Sequence, residues 1–304
     1  MRGKTDVTAV AGIEAVRRSF RFDGRERSMV VVSSDEARFR GQDRPIVLVF
    51  HGSNQTGEGV RRFAGRTFDA LAAEGAIVAY PDGLRKRWNA REPSDSTRGG
   101  AIDDVGFALA LVEYLASEFG GNPDRVYALG YSNGGHFVMR MAHEVPERLA
   151  GIASISASQL VAGVQHPVDS GLVGLPALFI HGTKDPMVPY RGGTSGWRAR
   201  LPWGPALSAR DSADYYAKRN GITAPSSSAV VESRFPSKRT SVERTDYRQP
   251  TSAPVTLYSI IGGGHTIPNP TETYRILGAT GHDIVAAQVI AEFFGLGYRS
   301  TTDT

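Results

Sequence analysis

The chain has 304 residues, 40% of them hydrophobic and 22% charged, so it is long enough to enclose a large core and has the composition of a globular protein. Its formal charge of +4 is small and its basic residues (Arg61, Arg62, Arg85 to Arg87, Lys238, Arg239) are scattered, which argues against a nucleic-acid partner. With no cysteine there can be no disulfide, thiolate metal site or cysteine nucleophile, and no segment approaches the length of a membrane span.

The opening stretch MRGKTDVTAVAGIEAVRRSF carries charges at Arg2, Lys4 and Asp6 and no apolar run of signal-peptide length. Short apolar runs bounded by turn residues then recur along the chain. Residues 28–33 (SMVVVS), 45–50 (PIVLVF), 76–81 (AIVAYP), 125–130 (RVYALG), 151–156 (GIASIS), 176–182 (PALFIHG) and 255–261 (VTLYSII) are predicted as buried strands. Between several of them lie helical patterns. The clearest is DDVGFALALVEYLASEF, where Val105, Ala108, Leu109, Val112, Leu115 and Phe119 trace one stripe behind a cap at Asp103, with Asp104 also assigned to the helix start. Residues 190–254 interrupt the rhythm with a glycine- and arginine-rich stretch holding Trp197 and Trp203, a short helix (SARDSADYYAKRNG) and a polar run. SVERTDYR and VTLYSII then read as a hairpin, so the excursion is placed inside one domain covering 1–304. Strand and helix alternate over most of the length, which predicts an α/β fold with a mainly parallel central sheet and helices on both faces.

The stretch YALGYSNGGHF, Tyr127 to Phe137, places a serine between glycines where a strand ends and a helix begins. This is the G-x-S-x-G pattern of a nucleophile elbow, in which a sharp turn lifts a hydroxyl above the sheet. A serine hydroxyl is a poor nucleophile at neutral pH and requires a base and an orienting carboxylate, which in this fold arrive later in the order Ser, Asp, His. Asp185, after PALFIHG, and His265, in the glycine loop after VTLYSII, occupy those places. Asp169 and Asp211 compete for the carboxylate role and His143, His166, His181 and His282 for the base, in less suitable settings. An oxyanion hole takes one amide from the residue after the nucleophile, Asn133, and one from the loop after an early strand, where HGSNQTG offers Ser53.

Taken together, RSFRFDGRERSMVVV, VLVFHGSNQTG, AYPDGLRKRWN, IDDVGFALALVEYLASEFGGNPDRVYALGYSNGG, IHGTKDPMVPYRGG and IIGGGHTIP with GHDIVAAQVIAEFF resemble the polyhydroxybutyrate depolymerase and feruloyl esterase family of α/β-hydrolases, from about Arg18 to Phe294. The resemblance implies the α/β-hydrolase fold and carboxylic ester hydrolysis through Ser132, His265 and Asp185, with no metal or organic cofactor. Polyhydroxybutyrate-type polyesters or their oligomers, or related short-chain or feruloyl esters, small or polysaccharide-linked, are the implied substrates, in a secreted or periplasmic setting with a cytoplasmic one as the alternative. A peptidase of the same fold and a catalytically inactive binding protein are the alternatives. Departures from the family stand at Ser53 and Ile222, where many relatives carry cysteines, and at Ile267, where relatives often have tryptophan. Ile267 is expected to border the acyl cleft, and Trp88 and Asn89, after YPDG, to border the acyl pocket.

Overall fold

The computed structural model describes residues 12–34, 43–90, 102–161, 173–193, 205–233, 239–271 and 273–298. Its strands are β1 (Ile13–Phe22), β2 (Arg25–Ser34), β3 (Arg44–Phe50), β4 (Ile77–Pro81), β5 (Gly121–Tyr131), β6 (Gly151–Ile155), β7 (Ala177–Gly182), β8 (Ser227–Val231), β9 (Ser241–Tyr247) and β10 (Val255–Ile261). They form one ten-stranded sheet in the order β1-β2-β4-β3-β5-β6-β7-β10-β9-β8. From β4 to β10 neighbouring strands run parallel, while β1 and β2 at one edge and β9 and β8 at the other pair antiparallel. The α/β-hydrolase arrangement expected from the sequence is therefore present, with all seven predicted strands in place and the predicted hairpin realised as β9 and β10.

Helices α1 (Gly57–Phe63), α2 (Ala70–Ala73), α3 (Asp104–Phe119), α4 (Asn133–Glu144), α5 (Ala209–Arg219) and α6 (Ala286–Phe294) cover the sheet. Side chains of a strand alternate between its two faces, so a strand buried on both sides must be apolar at nearly every position. In β3, Ile46, Leu48 and Phe50 enter a core shared with Leu111 and Val112 of α3, Phe137 and Met141 of α4 and Tyr216 of α5. Val47 and Val49 enter the opposite core with Val60 of α1, Leu71 of α2 and Ile290 of α6. Edge strand β1 packs Val16, Phe20 and Phe22 against the core and leaves the residues between them exposed, so it has no such apolar run, which is why its sequence carried no strand signal.

Asp103 caps α3 by accepting the Gly106 N–H at 2.7 Å. Its neighbour Asp104 does something else: fully buried, its Oδ1 accepts from the Arg27 guanidinium at 2.9 Å and its Oδ2 from the Asn89 N–H at 2.8 Å. Burial pushes the Asp104 carboxyl up, against the opposing pull of the Asn89 amide and Arg27. Asp104 therefore ties β2 to the Trp88–Asn89 loop instead of capping α3. The excursion at 190–254 contributes α5, β8 and β9 to the common sheet and its cover. Asp169, His166, Trp197 and Trp203 lie outside the described residues.

Candidate active site

Strand β3 is followed in the chain by β4 on one side and by β5 on the other, so the strand order reverses between β3 and β5. In an open parallel sheet such a switch point leaves a crevice at the carboxyl ends of the strands, because the connecting chain departs in opposite directions. Ser132 follows β5 and the His51–Gln55 loop follows β3, so both candidate oxyanion segments stand at this crevice. Asp185 follows β7 and His265 follows β10, two neighbouring parallel strands further along the same edge.

Ser132 has φ 53° and ψ −115°, a backbone conformation that costs a non-glycine residue about 1–3 kcal/mol and persists only where the surroundings enforce it. Its N–H donates to the Ile155 carbonyl at 2.9 Å and its own carbonyl accepts the His136 N–H at 3.0 Å. The turn is so tight that a Cβ at position 134 would collide with the Phe50 carbonyl oxygen, and one at 130 with the carbonyl of Gly134. Only glycine fits either place, which accounts for the spacing of the pattern.

The half-buried Ser132 Oγ lies 2.9 Å from His265 Nε2, and His265 Nδ1 lies 2.7 Å from Asp185 Oδ2. The other oxygen of Asp185 accepts the backbone N–H groups of Met187 and Val188 at 2.7 and 2.8 Å. His181 Nε2 sits 3.4 Å from Asp185 Oδ2 and 3.0 Å from the Val188 carbonyl. Burial by itself would raise the Asp185 carboxyl, but His181 and His265 hold it well below the usual carboxylate range. The His265 backbone is gripped on both sides, its N–H by the Leu277 carbonyl at 2.7 Å and its carbonyl by the Tyr131 hydroxyl at 2.8 Å. Sequence reasoning missed Tyr131, and it weighed His181 only as a competing base, whereas His181 stands beside Asp185. Their signals were present, since Tyr131 is the residue before the elbow serine and His181 stands four residues before Asp185 at a strand end.

These groups open onto a cleft of about 180 Å³ lined by Gly52, Ser53, Gln55, Tyr131, Met187 and Leu277, among others including Ser132, Asn133, His136 and His265. As the first residue of α4, Asn133 has a backbone N–H that no intrahelical carbonyl can satisfy. Of the competing residues, Asp211 is the partner of the α5 cap Ser208, and His143 bonds Met139 and Tyr215. His282 bonds the Asn269 carbonyl. None of these three reaches Ser132.

The expected pocket-lining residues need correction. Trp88 is 2% exposed, wedged between Phe50, Phe107 and Phe137, with its Nε1–H given to the His51 carbonyl. Asn89 is held through its backbone by Asp104 and Arg140 and does not line the cleft. Ile267 is 1% exposed and packs in the core with Ile284 and Ile290 instead of facing the cleft. The apolar environment that would suit a cleft wall also suits the core, and position along the chain does not distinguish them. Ile267→Trp is accordingly expected to overpack this core and cost about 1–3 kcal/mol of stability, with the ratio of activities on aromatic and aliphatic esters unchanged. Denaturant midpoints and paired ester assays check this, and a selectivity change without a stability loss would reverse the correction.

His136, on α4 beneath the serine, supplies a second expected result. Burial pushes its imidazole down to about 4, opposed by a hydrogen bond to the Ser158 backbone, with His181, His265 and Asp185 as its titratable neighbours. In the unfolded chain a histidine titrates near about 6.5, so between those values the unfolded chain takes up the extra proton. Stability is therefore full above about 6.5, falls as pH drops toward 4, and loses no more from this residue below that. The loss should be about 3 kcal/mol. Urea midpoints followed from neutral pH to about 4.5 should fall less steeply for His136→Gln than for the wild type. Identical pH profiles would contradict a buried neutral His136.

Comparison with known proteins agrees with this fold. Residues 110–196 match the family described as Phospholipase/Carboxylesterase. The chain is 29% identical over 277 residues to "Putative esterase NocK" of Nocardia uniformis subsp. tsuyamanensis, covering 89% of this chain and 79% of that protein. It is also 29% identical over 166 residues to feruloyl esterase B of Piromyces equi, spanning 52% of this chain but only 29% of that longer protein. The acetyl xylan esterase from Aspergillus awamori superposes with a TM-score of 0.60 over 89% of this chain and 94% of its own, at 18% identity, a likeness of fold. With its parallel sheet, its strained serine elbow and these relatives, the chain has the α/β-hydrolase fold and is similar to enzymes that hydrolyse carboxylic esters.

Proposed function

We propose that Ser132, His265 and Asp185 are the catalytic triad of a serine esterase working through an acyl-enzyme. The observation that carries this is the continuous run from Ser132 Oγ to His265 Nε2 and from His265 Nδ1 to Asp185 Oδ2, at 2.9 and 2.7 Å. Ser132 Oγ attacks the ester carbonyl carbon while His265 Nε2 takes the hydroxyl proton, and Asp185 stabilises the imidazolium and holds its Nδ1–H. The amides of Ser53 and Asn133 bind the oxyanion of the tetrahedral intermediate. Its collapse breaks the bond to the alcohol oxygen, which leaves with the proton from His265. Water, deprotonated by the same imidazole, then attacks the acyl carbon, and the acid departs as the proton returns to Ser132.

The substrates are proposed to be esters of short acyl or compact aromatic acids, feruloyl-type esters among them. Support comes from the small size of the cleft, its apolar contacts at Tyr131, Met187, Val188 and Leu277, and the feruloyl and acetyl xylan esterases among the similar proteins. The chain is read as one catalytic domain, since the strands of the 190–254 excursion join the central sheet. No helix among the described residues is long and apolar enough to cross a membrane. The test is a panel of short p-nitrophenyl esters, methyl ferulate, acetylated xylan and amorphous polyhydroxybutyrate, with a peptide anilide as control. Turnover confined to the polymer would overturn the small-acyl reading, and turnover confined to the anilide would replace the esterase by a peptidase.

A further inference from the structure

The proposed oxyanion donors, Ser53 and Asn133, belong to the loop beyond β3 and the start of α4 beyond β5, past the last ladder bonds that tie those strands together. An oxyanion needs both donors within about 2.7–3.1 Å at once, so the gap between the two segments must be held by something other than the sheet. The loop from Gly83 to Asn89 lies between them and bonds to both. Towards Asn133, the Trp88 N–H donates to Asn133 Oδ1 at 2.7 Å and the Trp88 carbonyl accepts from Asn133 Nδ2 at 3.1 Å. Towards the Ser53 loop, Trp88 Nε1–H donates to the His51 carbonyl at 3.0 Å, Gly83 N–H to His51 Nε2 at 2.9 Å, and Asn54 N–H to the Lys86 carbonyl at 2.9 Å.

The chemistry at each joint is specific. The Asn133 carboxamide accepts from the N–H and donates to the C=O of one residue, Trp88, a pairing that alanine or an ionised aspartate at position 133 could not make. Because His51 Nε2 accepts a bond, its proton lies on Nδ1, facing the Gly52 carbonyl at 2.7 Å. From behind, the spacer is anchored by Asp104 and Arg140, which bond the Asn89 N–H and carbonyl at 2.8 Å each. Asn133 and Trp88 are 1% and 2% exposed, so water does not compete for these bonds.

We propose that the Asn133 side chain and the Gly83–Asn89 loop form a spacer that sets the separation of the two oxyanion donors, making Asn133 and Trp88 positioning residues for ester hydrolysis. This rests on the assignment of the Ser53 and Asn133 amides to the oxyanion. It also joins two sequence features that the catalytic steps leave unused, the side-chain carboxamide of S-N-G and the tryptophan of R-W-N.

The test compares wild type with Asn133→Ala and Trp88→Phe, which keep the backbone amide of residue 133 but remove the carboxamide or the indole N–H. For each, kcat and KM on a soluble aryl ester are measured with the inhibition constants of an aryl trifluoromethyl ketone, which forms a tetrahedral oxyanion on serine, and of its non-electrophilic alcohol analogue. For Asn133→Ala, kcat should fall about tenfold or more and trifluoromethyl ketone binding should weaken by a similar factor, short of the hundred- to thousandfold attached to losing a whole donor. KM and binding of the alcohol should stay within about twofold, because neither senses an oxyanion. Trp88→Phe should shift the same pair of quantities by less, and decides the matter should Asn133→Ala not fold. Equal weakening of both inhibitors, or a lower kcat with unchanged ketone affinity, would overturn the spacer. Complete fluorophosphonate labelling of the variants in that case would leave the triad reading standing, whereas absence of labelling in the wild type would remove the triad reading itself.

Discussion

Ser132→Ala is expected to lower ester turnover on the order of a million-fold, with the fold unchanged. No other hydroxyl is held against His265 Nε2 among the described residues, so nothing substitutes for the lost Oγ. Relief of strain does not offset the loss, because the turn at 132 is enforced by Gly130 and Gly134 packing backbone on backbone, and alanine would adopt the same φ of 53°. The residual rate, about a thousandfold or more above uncatalysed hydrolysis, would come from substrate held against the oxyanion amides while water attacks. Steady-state assays and fluorophosphonate labelling check this together. Retained turnover in a preparation free of wild-type enzyme would displace Ser132 as nucleophile.

Asp185→Asn is expected to cost about ten-thousand-fold in kcat, and the structure says why the amide should settle in the unproductive orientation. Oδ1 of Asp185 accepts two backbone N–H groups, from Met187 and Val188, so an asparagine must turn its oxygen towards them. Its NH2 group then faces His265 Nδ1, which can only accept. The ring proton moves to Nε2, the atom that has to take the proton of Ser132, and the base is lost. His181 Nε2, another potential donor beside Oδ2, meets the same amide and adds to the mismatch. The variant's rate on an activated aryl ester, set against its unchanged ability to bind a substrate analogue, checks this. Near-normal activity would mean that a different carboxylate orients His265, with Asp169 the first to test.

What the sequence by itself determined is the part of the protein governed by short-range rules. A strand buried on both faces must be apolar at successive positions, so β2 to β7 and β10 could be read directly, and the elbow could be read because close backbone contact at 130 and 134 admits only glycine. The order Ser132, Asp185, His265 was legible because each follows a strand whose carboxyl end points to one edge of a parallel sheet. Edge strand β1 was not legible, since Val16, Phe20 and Phe22 pack against the core but the exposed positions between them break the apolar signature. Only the tertiary structure decided which apolar side chains face the cleft and which the core. Ile267 and Trp88 lie next to functional loops along the chain, yet both pack inward, while Tyr131, Met187 and Leu277 supply the cleft wall from three separate segments. Which face of a loop a side chain takes depends on contacts with residues far away in sequence, and the same holds for the pairing of Asn133 with Trp88, 45 positions apart.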